Sequence, residues 1–462
     1  MPDTSRPWTL ARARHLVRRM RIGAPADVVA QVFAEGPAAA VTRLLNEAQT
    51  DTEVAEPAWY ADVDSARTGQ HRKELQQTFI RRLVTHPVNE AMALFWHDHF
   101  VTDYRAYNSS IHGFQYTNRL RRNAFGNFRT FVEEIGLDLA MLRYLNGHNS
   151  HKNSPNENYA RELLELFTMG ILDKNGQPNY DESEIQTIAK ALTGYVARHD
   201  YYEPDFVSSR HDDSVKIIFG QEGQWGHADV VRIIFEERPA QIAHFISAKL
   251  YAHFVDELTP NEAVIDAMAA LFVSSGWNIR TVAEALLKSR HFYDETFIGG
   301  RIRGPMHFYV GHATEHLRYR NAVPSEDECE DIRSQSRSME QDILAPPNVA
   351  GWPGGRTWIS ESGLIERDKK AASFIKGRSK TPQLDPMPLL DYVSDADDPY
   401  VVVQEIHDML LPVPLPQPEQ DLLYDVLLDG LPPAEWRYDN SKPERLRDLL
   451  THLRQRPENH LF

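Results

Sequence analysis

The sequence is poor in cysteine, in long apolar runs and in basic charge, and each shortage excludes a class of protein. Cys329 is the single cysteine among 462 residues, so the chain can form neither an internal disulfide nor a zinc cage built from several thiolates. No segment is apolar over the roughly 20 residues that a membrane-spanning helix needs. Because 66 acidic residues outnumber 50 basic ones, the formal charge of −16 disfavours binding to nucleic acid or to anionic lipid.

The segment up to Gly23 is rich in arginine but lacks the apolar core of a secretion signal. Leu10, Leu16, Val17 and Met20 recur at helical spacing, which predicts an ordinary first helix with a basic face. The sequence therefore predicts a cytoplasmic protein.

Signals that start and stop helices occur along the whole chain. Residues 154–157 and 259–262 each have the pattern of a capping box, and Asp181 precedes an apolar repeat at helical spacing. Gly170 is the expected stop of the helix that follows residues 154–157, and Gly194 is the expected stop of the helix that follows Asp181. Further helices are predicted over 76–96, 239–255, 279–292 and 305–320.

Strand signals are few, and the best is the short run over 215–219. The sequence therefore predicts a mainly α fold, a multi-helix globular protein with long loops and very little strand. The predicted loops are 101–118, 146–154, 199–227 and 343–360.

The length of the chain exceeds what one hydrophobic core usually serves. A polar, proline-rich stretch over 376–399 has no apolar period and predicts a linker. We therefore expect a main helical domain over 1–375 and a small C-terminal helical segment over 400–462 that packs on it.

The run Trp96-His97-Asp98-His99-Phe100 is the sharpest candidate for a metal site, because neutral imidazole binds zinc, iron and copper. His97 and His99 share one side only on an extended backbone, since residues two apart on a helix diverge by roughly 200°. The metal interpretation therefore requires an extended segment here. The alternative is that both histidines form hydrogen bonds within a buried turn.

A second candidate is the predicted helix after residue 157, which has one polar and one apolar face. Glu162 and Glu165 lie on the polar face, and inward carboxylates of this kind hold metal ions in di-metal helical bundles. Ion pairs of Arg161 with Glu157 and Glu165, four residues away on either side, explain the same pattern as a solvated or bridging face.

His211 and Asp212 lie in a loop just before the predicted strand. An imidazole beside a carboxylate suits a metal ligand, or a general base with its orienting partner. A turn stabilised by aspartate is the alternative.

His312, Glu315 and His316 match the H-x-x-E-H pattern of one class of zinc peptidase, on a predicted helix. Three fixed positions are a weak match in a chain that holds 20 histidines. A zinc peptidase is therefore a minor alternative.

Several segments together resemble a bacterial family catalogued as domain of unknown function number 1800, and the resemblance extends over nearly the whole chain. They are LFWHDHFVT (94–102), PNENYARELLELFTMG (155–170), YDESEIQTIAKALTGY (180–195), HDDSVKIIFGQEG (211–223) and APPNVAGWPGGRTWI (345–359). Residues 339–344 depart from the glycine- and phenylalanine-bearing version expected of the family. The resemblance implies a largely helical fold and a protein partner that resembles sulfatases or alkaline phosphatases. It supplies no reaction.

Two functions from different classes are consistent with these patterns. The first is a metal-dependent enzyme, hydrolytic or oxidative, that uses a divalent ion such as zinc, iron or manganese. Its expected residues are the ligands His97, His99 and His211 and the catalytic carboxylates Glu162, Glu165 and Asp212. Because buried polar groups are costly unless they satisfy one another, five of these residues are expected to meet in one pocket: His97, His99, Glu162, Glu165 and His211. The second function is a non-catalytic scaffold whose polar motifs form structural networks and whose acidic surface binds a protein.

Overall fold

Helices make up most of the structure, which confirms the predicted mainly α fold. The computed structural model describes residues 7–62, 69–317, 322–377 and 382–462. None of the helices in these ranges combines the length and the apolar character needed to cross a membrane.

The first half of the chain contributes helices of very different lengths. They are α1 (Leu10–Met20), α2 (Ala26–Glu35), α3 (Pro37–Ala48), α4 (Gly69–Thr85), α5 (Pro87–His99), α6 (Tyr104–Tyr107), α7 (Ser110–Asn123), α8 (Phe128–Gly136), α9 (Leu139–Tyr144), α10 (Asn158–Glu162) and α11 (Glu182–Ala191). A π-helix, Leu163–Thr168, directly continues α10.

The second half adds longer helices and a C-terminal group. They are α12 (His227–Glu237), α13 (Pro239–Phe254), α14 (Glu262–Ser274), α15 (Ile279–Leu287), α16 (Pro305–Glu315), α17 (Glu326–Ser338), α18 (Glu361–Lys376), α19 (Pro399–Leu410), α20 (Gln417–Leu428) and α21 (Lys442–Arg454). Short 3₁₀ helices lie between them, such as Gly355–Trp358 and Met387–Tyr392.

Among the described residues, strand is confined to two antiparallel hairpins. Strand β1 (Tyr195–Val196) pairs with β2 (Asp205–Phe206), and β3 (Lys216–Ile218) pairs with β4 (Gln221–Gly223). The predicted strand over 215–219 is thus confirmed as β3.

Two predicted elements are wrong, both because of local capping and proline chemistry. The predicted loop over 101–118 contains α6 and most of α7, and Ser109 caps α7 by accepting the His112 N–H (3.5 Å). The predicted helix over 76–96 is two helices, α4 and α5, because Pro87 begins a new helix.

The three predicted helix starts have three different outcomes. Asp181 caps α11 by accepting the Glu184 N–H (3.1 Å), as predicted. The cap of α14 is Asn261 (3.2 Å to the Val264 N–H), not Thr259. The box over 154–157 is wrong, because α10 begins only at Asn158.

Apolar side chains form two adjoining cores. The larger core draws on elements from α1 to Ala371 in α18. The smaller core contains Ile375, Leu384, Leu389 and the apolar faces of α19, α20 and α21. The stretch expected to be a linker therefore contributes buried side chains, while the division into domains stays a prediction.

Glu315, the last residue of α16, is a fully buried carboxylate that joins distant parts of the chain. Oε1 accepts hydrogen bonds from Arg18 Nε (3.3 Å) in α1 and from Arg303 Nη2 (3.1 Å), and Oε2 lies 3.0 Å from Arg454 Nη2 in α21. Burial alone would raise the pKa of Glu315, but the charges of the three arginines outweigh it and hold the pKa well below its usual range. The cluster thus ties the N-terminal helix and the C-terminal helices to α16.

This cluster also removes the basis for a zinc peptidase. His312 Nε2 forms a hydrogen bond with the side chain of Asn459 (3.1 Å), and His316 Nε2 accepts one from Arg454 Nε (3.0 Å). Glu315 is neutralised by guanidinium groups. The H-x-x-E-H pattern therefore forms a structural network, and the peptidase alternative is not supported.

We predict that Glu315→Gln lowers the free energy of unfolding by about 3–5 kcal/mol, because it leaves three buried guanidinium groups without their anion. Urea denaturation measures the effect. The control is Glu47→Gln, which breaks an exposed pair with Arg43 (2.8 Å) and should cost less than about 1 kcal/mol. Equal effects of the two substitutions would contradict the structural role of Glu315.

Candidate functional site

A cavity of about 260 Å³ lies where the end of α5, the helix α13, the segment before α16 and the glycine-rich loop before α18 meet. Its walls combine ionisable groups with aromatic rings. The ionisable lining residues are Asp98, His99, Lys249, His253, Glu257, Arg301 and His307, and the aromatic ones are Phe95, Trp352, Trp358 and Phe462. Concave sites that combine apolar walls with a few convergent polar groups are the usual places for ligand binding.

The helix α13 carries one of the cations of this cavity, Lys249. Lys249 and His253 are four residues apart, so they lie on the same helical face, which lines the cavity. Lys249 is the one Lys, Arg, Asp or Glu between Pro239 and Phe254. Its ammonium also lies 5.0 Å from the ring centroid of Phe245, which is one helical turn earlier and provides a cation–π contact.

One of the carboxylate side chains of the cavity is Asp98, in the last turn of α5. Its Oδ1 accepts the backbone N–H of Trp352 (2.6 Å), which attaches the glycine-rich loop to α5. Gly351 makes this approach feasible, because it has φ of +87° and a Cβ there would lie 2.2 Å from Asp98 Oδ1. Burial raises the pKa of Asp98 to about 6, although the Trp352 N–H and the charge of Lys249 oppose the shift.

His99 holds Lys249 in place and does so as a neutral ring. Its Nε2 faces the carbonyl oxygen of Phe167 (3.0 Å), which can only accept, so the proton is on Nε2. Nδ1 is then free to accept a hydrogen bond from Lys249 Nζ (3.2 Å). Burial and the charge of Lys249 keep the pKa of His99 well below 6.5.

Burial lowers the pKa of Lys249 to about 8, while the charge of Asp98 raises it. The other two imidazoles of the cavity stay neutral. Burial, with a smaller contribution from the charge of Arg301, lowers the pKa of His253 well below 6.5 and the pKa of His307 to about 3. Arg301 itself is anchored by donating to the carbonyl oxygen of His253.

The turn that precedes the glycine-rich loop is strained. Glu340 and Leu344 have φ of +68° and +66° although neither is glycine, and the left-handed region is costly for bulky side chains. The Leu344 N–H donates to His97 Nε2 (3.0 Å), and Gln341 lines the cavity. This turn lies in the segment 339–344, which was expected to depart from the family pattern.

His97 does not have the geometry of a metal ligand. Because Nε2 accepts the Leu344 N–H, Nδ1 carries the proton and donates to the hydroxyl of Tyr116 (2.9 Å), which donates to the Phe100 carbonyl (2.7 Å). Both ring nitrogens are therefore committed within the protein. Residues 97 and 99 are helical, so the extended backbone that would bring the two histidines to one side is absent.

Glu162 and Glu165 lie near each other but do not line the cavity. Burial and the charge of Glu165 raise the pKa of Glu162. Arg161 lies 3.8 Å from Glu165 and 2.7 Å from Glu182 of α11. Glu162 and Glu165 thus lie on a half-buried polar face, which Arg161 connects to α11.

His211 and Asp212 form a loop-stabilising turn. His211 Nδ1 donates to the Thr193 carbonyl oxygen (2.9 Å), and the Asp212 N–H donates to Thr193 Oγ1 (2.8 Å). Asp212 also accepts the Ser214 N–H (2.9 Å). These contacts fit the turn alternative rather than a catalytic dyad.

Of the five residues expected to share a pocket, His99 lines the cavity and the other four do not. The described ranges hold no group of three or more His, Cys, Asp or Glu side chains placed to bind a metal ion. The geometry therefore gives the predicted metal site no support, and the roles assigned to these residues stay predictions.

Residues 15–458 match the family described as "Protein of unknown function (DUF1800)". The chain belongs to this family. No curated protein and no solved structure matches the chain.

Three of the family-like segments meet at the cavity. The segment 94–102 supplies Asp98 and His99, the segment 345–359 supplies the Trp352 N–H that binds Asp98, and the segment 155–170 supplies the Phe167 carbonyl that binds His99. The segments 180–195 and 211–223 are joined to each other through Thr193 and lie outside the cavity.

Reasoning from the sequence missed most residues of the cavity. Asp98 belongs to the run 96–100, but the metal interpretation of that run rested on its two histidines and gave Asp98 no role. Lys249 had a usable signal, since it is an isolated charge in an otherwise uncharged helix. Glu257 and Arg301 had none, because loops bring them to the cavity, and His307 had none because its place in the first turn of α16 does not reveal what it faces.

We predict that Gly351→Ala lowers the free energy of unfolding by about 2–4 kcal/mol, because the new Cβ collides with Asp98 in addition to the cost of positive φ. Urea denaturation measures the loss. Gly176→Ala is the matched control, with φ of +77° and nothing within 4 Å of the Cβ, and should cost about 1–2 kcal/mol. A loss at Gly351 no larger than that of the control would show that the loop does not depend on close contact with Asp98.

Proposed function

We propose that this protein is an enzyme that transfers protons to and from a small polar substrate bound between Asp98 and Lys249. The observation that carries the proposal is that these two groups face one cavity without an ion pair between them. Within the described residues, Lys249 forms its hydrogen bond with His99 and Asp98 forms its own with the Trp352 N–H. One carboxylate oxygen and two ammonium hydrogens thus remain for a ligand.

The shifted pKa values suit this chemistry. A carboxyl near 3.8 is a poor base and an ammonium near 10.5 a poor acid at neutral pH, whereas groups near 6 and 8 exchange protons efficiently there. Between pH 6 and 8, Asp98 with a pKa of about 6 is ionised and Lys249 with a pKa of about 8 is protonated. Asp98 then acts as the general base and Lys249 as the general acid.

His99 is a positioning residue in this scheme. Its Nδ1 fixes one hydrogen of Lys249, and because the ring is neutral it leaves the charge of the ammonium uncompensated. Trp352 and Trp358 line the cavity with aromatic rings, and Glu257 and Arg301 line it with charges of both signs. These features favour a small substrate that has one apolar face and several hydrogen-bonding groups.

We predict that Lys249 reacts with an amine-selective acylating reagent with a pH midpoint near 8, because only the neutral amine is nucleophilic. Mass spectrometry of the labelled peptides measures the profile for each lysine. Lys174 is the internal control, since its hydrogen bond to Asp266 (2.8 Å) raises its pKa. Asp98→Asn should move the midpoint of Lys249 lower still, because it removes the charge that raises the pKa. A midpoint of Lys249 equal to that of Lys174 would contradict the proposal.

We further predict that the protein consumes a component of the small-molecule fraction of a cell extract at a rate that is bell-shaped in pH, with limbs near 6 and 8. Asp98→Asn and Lys249→Met should each abolish the consumption, while Lys174→Met should leave it unchanged. Untargeted mass spectrometry of the extract measures the loss of substrate. If wild type and both variants leave every component unchanged, the non-catalytic scaffold is the better interpretation.

A further inference from the structure

Arg367 in α18 is a buried charge that the cavity chemistry does not use. Its side chain has a relative exposure of 0%. Nε, Nη1 and Nη2 are all shielded from solvent, and none has a hydrogen-bond partner among the residues that the structure describes. No ion pair of Arg367 with a carboxylate of the described residues occurs within 4.0 Å.

The protein contacts of Arg367 do not supply the missing anion. Its guanidinium lies 5.1 Å from the ring centroid of Phe308 in α16, which provides a cation–π contact but accepts no hydrogen bond in the plane of the guanidinium. The neighbouring carboxylate Asp368 forms no ion pair with the guanidinium, and burial raises its pKa. The charge of Arg303 adds repulsion.

The surroundings are rich in positive charge. Arg18, Arg303 and Arg454 share the single carboxylate of Glu315, so that anion is already used. His460 stacks on the ring of Phe308 (centroids 5.6 Å apart), and its Nδ1 is likewise buried, with no hydrogen-bond partner in the described part of the chain. A guanidinium stays charged at neutral pH, and an uncompensated buried charge is strongly destabilising.

We propose that Arg367 binds a small anion, chloride or an oxyanion, buried between α16, α18 and the segment that contains His460. The guanidinium offers three unused nitrogens on two edges, which is the donor set that carboxylate and phosphate oxygens match in pairs and that chloride also accepts. The anion would balance the local excess of arginine. It would also fasten α18 to α16 beside the Glu315 cluster, at the border of the two cores.

The test compares wild type, Arg367→Met and the control Arg437→Met in a bulky sulfonate buffer at constant ionic strength. Arg437 is largely exposed and pairs with Asp397 (2.7 Å), so its variant matches the change in net charge. Chloride, acetate or inorganic phosphate is then titrated in. At least one should raise the melting temperature of wild type and the control saturably, by about 2 °C or more, and which one does so identifies the source.

Arg367→Met should lose this response. Without added anion it should melt at or above wild type, because it replaces an unpaired charge with an apolar chain of similar length. A response of Arg367→Met that parallels wild type, or no saturable response of wild type, would overturn the proposal. If Arg367→Met does not fold, crystals of wild type grown in bromide decide the matter. An anomalous peak within hydrogen-bond distance of the guanidinium supports the site, and ordered water alone in that place overturns it.

Discussion

The buried carboxylate of Glu315 is the interaction on which the arrangement of the chain depends. It holds Arg18 near the start of the chain, Arg454 near its end and Arg303 only 12 residues away, so two of the three contacts span a long stretch of sequence. Such a cluster gives little net stability when it is intact, because desolvation offsets attraction, but it is very costly to break. It therefore acts mainly as a device that permits one arrangement of α1, α16 and α21.

The cavity inherits its shape from this arrangement. Arg303 follows Arg301 and Ile302, which line the cavity, and the backbone of Arg301 pairs with that of Phe462 (2.9 Å from the Phe462 N–H to the Arg301 oxygen). Phe462 in turn forms part of the wall. Fixing Arg303 on Glu315 thus fixes one side of the cavity, whereas Asp98 and the glycine-rich loop form the other. Between these two supports, Asp98 and Lys249 are held half-buried and apart, which shifts both pKa values toward neutrality.

The sequence predicted the features that depend on local chemistry. It did not predict the features that form when side chains from distant segments pack together. The mainly α fold, the cap at Asp181 and the strand β3 follow from spacing and capping residues alone. The break at Pro87 was equally local and could have been predicted. The cavity was out of reach, because Lys249, Arg301 and Asp98 are brought together by packing that no single segment encodes. Glu315 shows the same limit, since its H-x-x-E-H pattern fits a catalytic motif until three arginines from elsewhere surround it.

The role of the segment 155–170 illustrates how a motif can matter through its backbone rather than its polar side chains. Its carboxylates Glu162 and Glu165 lie outside the cavity, yet the segment turns from α10 into a π-helix that ends at Thr168. Carbonyl groups in the last turn of a helix have no partner within the helix, and the Phe167 oxygen is used to accept the His99 Nε2 proton (3.0 Å). That single hydrogen bond sets the tautomer of His99, which leaves Nδ1 as the acceptor for Lys249. A side-chain substitution at Glu162 leaves this chain of contacts intact, whereas a change that unwinds the π-helix would release His99 and with it the position of the proposed general acid.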